Sequence, residues 1–149
     1  MAIRKNIEDK EGHSKYYYDF DRNLPFKKEV KYFNKSEFDS PDDEGSGENM
    51  DNGFLIRLDT AREFAGIPFK ITSGYRTLYH NKQVGGAKNS SHTNIPCNAC
   101  DIAVTDSSAR YKIVDGLLKA GFVRIGIGKN FIHCDTDTNK SQDVIWHYY

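Results

Sequence analysis

Three short runs, FVRIGI, NFIHCDTD and DVIWHY, follow one another between Phe122 and Tyr148, each with the apolar alternation of a strand. The segments that join them are too short to hold a crossover helix, so the strands are expected to pair antiparallel. Upstream, ACDIAV is a further strand candidate ending at Asp106, and IPFKITS another, alternating at Ile67, Phe69 and Ile71. Two helices are expected between these strands. The first runs from Asn52 to Gly66, with Phe54, Leu58, Ala61 and Ala65 on one face and Asp51 or Asn52 as cap. The second is capped by Asp106 or Ser107, shows Ile113, Leu117 and Ala120 on one face, and stops at Gly121. Ser73 to Ser91 is rich in Gly, Ser and Asn and reads as loop, with a helical turn near Leu78–Gln83. This order predicts an α+β fold, a small mainly antiparallel sheet with two main helices. A chain of 149 residues supports one such domain. It is expected over residues 30–149, after an N-terminal extension, 1–29, whose YYYDF, with the VKYF that follows it, packs on the domain or forms an arm.

The 21 basic and 21 acidic residues cancel. A dedicated nucleic-acid binder needs a net basic face, so nucleic acid is not an expected partner. No apolar run is long enough to span a bilayer, and the N-terminus lacks the apolar core of a secretion signal, so neither membrane insertion nor secretion by that route is expected. The neutral total hides segregation. Residues 36–52 hold seven acids and no base, whereas residues 53–149 hold twelve bases and eight acids. With Pro41, Gly45 and Gly47 among its acids, the acidic stretch reads as a solvated surface loop, and its spacing does not match a calcium loop.

Five histidines occur, His13, His80, His92, His133 and His147. Alternation in NFIHCDTD puts Phe131, His133 and Asp135 on one face of its strand, and Ile132, Cys134 and Thr136 on the other. His92 lies just before the strand that carries Asp101. Two neutral imidazoles and one carboxylate make a three-ligand zinc set with a position left for water. Taken singly, each of these histidines is more often a hydrogen-bonded structural residue than a ligand, and the constellation by itself does not decide. Cys97, Cys100 and Cys134 are an odd number and read as reduced thiols. A redox role for Cys97 and Cys100 lacks the strand-to-helix context it needs.

The blocks ITSGYRT, HNKQVGGAKNSSH, ACDIAV, RIGIGKNFIHCDTD and IWHYY, in this order, resemble the zinc D-Ala-D-Ala carboxypeptidase and endopeptidase family, which cleaves the peptide stems of bacterial peptidoglycan and includes many phage endolysins. The resemblance covers about residues 30–149 and implies the hedgehog/D-Ala-D-Ala peptidase-like fold. It implies zinc held by His92, Asp101 and His133, with Arg76 and Ser91 at the substrate. A guanidinium there can orient the peptide and stabilise an oxyanion, or alternatively serve as a structural ion pair.

Two departures from the family pattern stand out. His92 and Asp101 are nine positions apart rather than the usual seven, and Cys97 and Cys100 lie between or beside them, so a cysteine is an alternative ligand to Asp101. The longer loop costs roughly a few tenths of a kcal/mol in closure entropy. Residues 126–130 also hold no acid where many relatives carry one just before the last zinc histidine. Asp135 is therefore expected either as the general base or as a partner of a zinc histidine, with His80 and His147 as weaker candidates for proton transfer. The expected function is a zinc-dependent peptidase acting on the peptidoglycan stem peptide. It would work as a monomer made in the cytoplasm and reach the wall after holin-type release or from a virion. A non-catalytic zinc-containing binding module of the same fold is the alternative.

Overall fold

The computed structural model describes residues 29–149 throughout, together with the backbone of residues 4–8, 14–19 and 24–27. Those first segments are strands β1 (Arg4–Glu8), β2 (Ser14–Asp19) and β3 (Leu24–Lys27), paired antiparallel in the order β1-β2-β3. The Tyr16–Asp19 part of YYYDF belongs to β2, while Phe20 and His13 lie outside the described residues. VKYF packs on the domain, with Phe33 buried and Val30 and Tyr32 lying against the core.

The acidic stretch is more than a solvated loop. It forms two 3-10 turns, Lys35–Phe38 and Ser46–Asn49, and it buries Phe38, Ser46 and Met50. Its acids satisfy backbone donors. Asp39 accepts from the amides of Gly45 (3.0 Å) and Gly47 (2.7 Å), and Asp51 caps helix α1 (Asn52–Ala65) by accepting from the Phe54 amide at 2.8 Å. Gly66 ends α1 with φ +71°, a left-handed position that suits glycine. Strand β4 (Ile71–Ser73) is shorter than the expected IPFKITS, although Phe69 is buried. Helix α2 (Leu78–Gln83) is the expected turn, and β5 (Ala99–Ala103) is ACDIAV. Helix α3 (Ser107–Lys119) is capped by Asp106, and it is followed by β6 (Arg124–Ile127), β7 (Phe131–Asp135) and β8 (Val144–His147).

The second sheet has the order β4-β5-β7-β6-β8. All its pairs are antiparallel except β6 with β8, which run parallel. Short connections were expected to exclude a parallel pair. They do not, because residues 136–143 leave β7 and pass the end of β6 to reach its free edge, so no helix is needed. One face of this sheet lies in the core through Cys100, Ile102, Ile125, Ile132 and Cys134, together with Leu58 and Leu117 of the two long helices. The alternate residues, Asp101, Arg124, Gly126 and His133, belong to the opposite face.

The helices α1 and α3 approach closely at Gly116. A Cβ there would collide with the Ala61 carbonyl oxygen and sit 2.9 Å from the Ala65 Cβ. Gly116→Ala is expected to lower stability by about 1–3 kcal/mol despite alanine's better helix propensity. Urea unfolding would show a lower midpoint at constant slope, and an unchanged midpoint would refute the close contact.

Candidate metal centre

Asp101 on β5 and His133 on β7 are directly opposite each other in the antiparallel register, so the sheet alone sets their side chains together. His92 comes from the 3-10 turn Ser91–Thr93. Its carbonyl accepts from the Arg76 amide at 2.8 Å, and the Ser90 hydroxyl accepts from its own amide at 3.2 Å. Asp101 Oδ1 lies 3.3 Å from His92 Nε2 and 2.9 Å from His133 Nδ1, and the two nitrogens are 3.3 Å apart. The three residues are only 3%, 9% and 6% exposed, so water does not solvate them freely.

The other nitrogen of each ring decides what faces this point. His92 Nδ1 is 2.7 Å from the Gly74 carbonyl, which can only accept, so Nδ1 carries the hydrogen and Nε2 presents a lone pair. His133 Nε2 is 2.7 Å from Asp135 Oδ2, which likewise only accepts, so Nδ1 presents its lone pair. Three acceptor atoms thus converge with no donor of their own. A tetrahedral zinc with ligands at 2.0–2.1 Å has edges of about 3.3 Å; two of the three separations, both 3.3 Å, match that, and the third, 2.9 Å, is shorter.

The electrostatics agree. Burial pushes His92 below its usual range, toward the neutral ligand form, and Asp101 only partly restores it. Burial also acts against charge on His133, but the carboxylates of Asp101 and Asp135, which would both accept from the protonated ring, outweigh it and raise the imidazole. Burial would raise Asp101 as well, yet the two imidazoles beside it, as hydrogen-bond donors and positive charges when protonated, hold the carboxylate far below the ordinary range. An anionic carboxylate between two imidazoles favours a cation, and a proton on His133 competes for the same place.

Around these groups the protein supplies firm orientation. Arg76 donates to Asp101 Oδ2 at 3.3 Å, to Ser73 Oγ at 2.9 Å and to Asn81 Oδ1 at 3.2 Å, which turns Asp101 Oδ1 toward the histidines. The acidic stretch braces the segment between β4 and α2: Phe38 O accepts from the Tyr75 amide, and Asp42 accepts from the Thr77 hydroxyl at 2.7 Å. Asp135 Oδ1 is held by Arg124 Nε at 2.6 Å and by the Asp137 amide at 3.0 Å, and Oδ2 by His133, so neither oxygen is free. Ser91 is buried, and its hydroxyl donates to Asp137 at 2.7 Å while accepting from Lys140 at 2.9 Å.

The cysteines do not join the cluster. Cys97 Sγ points at the carbonyls of Ser91, His92 and Ala99, and Cys100 lies across the ladder from Cys134, sulfur to sulfur 3.7 Å, on the core face. A cysteine ligand in place of Asp101 is therefore corrected: alternation along β5 turns Cys100 away, and Cys97 is anchored through its backbone to Asn49 and Asp51. Burial pushes the Cys97 thiol up to about 12 and Cys100 well above its usual value. All three thiols are expected to resist a thiol reagent in the native protein and to react only on unfolding; fast labelling of the native chain would contradict this. His147 is exposed and stacks on Tyr149, and His80 lies on α2; neither lines the cleft at the cluster.

That cleft has a volume of about 380 Å³ and opens above His92, Asp101 and His133. Its wall includes residues that sequence reasoning overlooked: Arg124, Lys140, Trp146 and Tyr148. Alternation could have found three of them, because Arg124 and Gly126 share a face of β6, as Trp146 and Tyr148 do along and just beyond β8. Gly126 is required there, since a Cβ would meet the rings of Tyr148 at 2.7 Å and Trp146 at 2.8 Å.

A family model described as Peptidase M15 matches residues 32–135, a span that contains all three cluster residues, Arg76 and Asp135. No curated protein matches the chain. With more than half its length matched and a His-Asp-His set able to hold a metal, the chain belongs to the peptidase M15 family of metal-dependent, D-Ala-D-Ala carboxypeptidase-like peptidases.

Proposed function

We propose that this chain is a zinc peptidase that hydrolyses a peptide bond next to a D-amino acid in bacterial peptidoglycan. The observation that carries the reading is the convergence of three lone-pair donors at the floor of an open cleft, each fixed by a hydrogen bond or ion pair on its far side. His92, Asp101 and His133 would hold the ion. Zinc in such a site supplies a Lewis acid and lowers the pKa of a water to about 7. Arg76 holds Asp101 turned inward, and its position on the cleft wall lets it face a substrate carbonyl as charge develops there. Asp135, bonded to His133 on one oxygen and to Arg124 on the other, acts as a positioning carboxylate for the ligand in preference to a general base. The buried Ser91 hydroxyl acts through Lys140 and Asp137 rather than on substrate directly.

A role in lysis, with release through a holin or delivery in a virion, extends this proposal and rests on the sequence resemblance. Among the described residues no helix is long and apolar enough to cross a membrane. One observation favours a second reading, a metal-holding module without turnover: both carboxylates lining the cleft, Asp101 and Asp135, are already bonded within the protein.

Digestion of purified peptidoglycan, followed by mass spectrometry, separates the two. Released D-Ala marks a carboxypeptidase and new internal amino termini an endopeptidase, and both should vanish with a chelator or His133→Ala. Stoichiometric zinc with neither product supports the binding module, and absence of zinc from the purified protein sinks both readings.

A further inference from the structure

Three cations line the cleft, and they differ in how far the protein already uses them. Arg76 is paired with Asp101, and Arg124 with Asp135, both through side chains at most 15% exposed. Lys140 is different. Its Nζ donates to Ser91 Oγ at 2.9 Å, but the nearest carboxylate among the described residues, Asp137, is 3.9 Å away, beyond hydrogen-bond range. Asp137 has no need of it, because its oxygens accept from Ser91, from Asn94 at 3.2 Å and from the Asn139 amide at 3.0 Å. An ammonium has three donors, so Lys140 keeps capacity for a further anionic partner inside the cleft. Its side chain is 25% exposed, enough to be reached and sheltered enough for a charge pair to count.

Lys140 also sits in the connection from β7 to β8, beyond Asp135, where the family match ends. Trp146 and Tyr148, which also line the cleft, lie outside that match as well. The matched span therefore carries the three candidate ligands, while the unmatched C-terminal segment carries a cleft cation that, among the described residues, has no carboxylate within hydrogen-bond range.

We propose that Lys140 is a specificity-determining residue that pairs with a carboxylate of the peptide substrate. This rests on the peptidase reading for the identity of the substrate, though not for the pairing itself. A stem peptide offers two such groups, the carboxylate at its C-terminus and the one on D-Glu, and either presents the same chemistry to the ammonium.

The test uses the metal-loaded protein and three synthetic pentapeptides of sequence L-Ala-D-Glu-L-Lys-D-Ala-D-Ala: one unmodified, one amidated at the C-terminus and one amidated on D-Glu. Trp146 is the only tryptophan of the chain and lines the cleft, so its fluorescence in a stopped-flow titration reports binding before turnover. Lys140→Met should weaken binding of the unmodified peptide by about ten- to a hundredfold, while Lys140→Arg stays within a few-fold of wild type. Amidation of the recognised carboxylate should weaken wild type equally, and Lys140→Met should then add nothing, which identifies the carboxylate. Unchanged affinity in Lys140→Met, an equal loss on all three peptides, or no binding by wild type overturns the proposal. Lys140-dependent binding without hydrolysis leaves it standing while the peptidase reading falls, and hydrolysis by a protein that binds equally well without Lys140 does the reverse.

Discussion

Asp101→Asn should empty the metal centre while leaving the fold in place. The amide is isosteric with the carboxylate, so the β5–β7 ladder that sets residue 101 opposite His133 is undisturbed. The amide carries no charge to attract a dication, however, and it leaves Arg76 with no anionic partner at 3.3 Å. Structural zinc sites bind with about 10–16 kcal/mol, and loss of one of three protein ligands removes on the order of a third of that, so zinc affinity should fall by about a thousandfold or more. A competitive chelator titration with Asp101→Asn and wild type checks it, with circular dichroism to confirm the fold. Affinity within tenfold of wild type would show that Asp101 is not a ligand.

Asp135→Asn probes the same centre from behind. At present Asp135 Oδ2 accepts the Nε2 hydrogen of His133, which leaves the Nδ1 lone pair facing Asp101 and His92. An asparagine can turn its amide nitrogen toward Nε2, which reverses the tautomer and puts a hydrogen on the nitrogen that must bind the metal. It also unpairs Arg124 from a buried partner only 1% exposed. Zinc affinity should drop about 10–100-fold, the range for loss of a carboxylate behind a metal-bound histidine. The imidazole nitrogen shifts of His133 report the tautomer directly. If Asp135 were instead a general base, zinc would bind normally in this variant and only hydrolysis would fail.

Both variants concern residues that the sequence made visible, and the reason is physical. Strand alternation is a strict two-residue rule, so NFIHCDTD alone placed His133 and Asp135 on one face and Cys134 on the other, as the register with β5 bears out. The caps of α1 and α3 were equally legible, because Asp51, Gly66 and Asp106 answer local backbone needs. What alternation does not encode is the route of the chain between strands. The parallel pairing of β8 with β6 depends on where residues 136–143 travel, and local sequence is silent on that. Which ring nitrogen of His133 faces Asp135 depends on a side-chain rotamer, so the sequence left two roles for that carboxylate. The acidic stretch misled for a further reason: charge count marks solvation on average, yet here Asp39, Asp42 and Asp51 are spent on nearby amides and hydroxyls.

The edge position of β8 has a consequence for how such a molecule can change. Two of the three candidate ligands, Asp101 and His133, sit on β5 and β7, strands with a neighbour on each side, whereas β8 pairs with β6 alone and its other side is unpaired among the described residues. Local opening should therefore be easier along β8, and its amides should exchange with deuterium faster than those of β7. A wall that opens without disturbing the floor can be altered without risk to the ion. On the proposed reading, substitutions at Trp146, Tyr148 or the turn that bears Lys140 would redirect what the cleft accepts, and β5 and β7, with their candidate ligands, need not register the change.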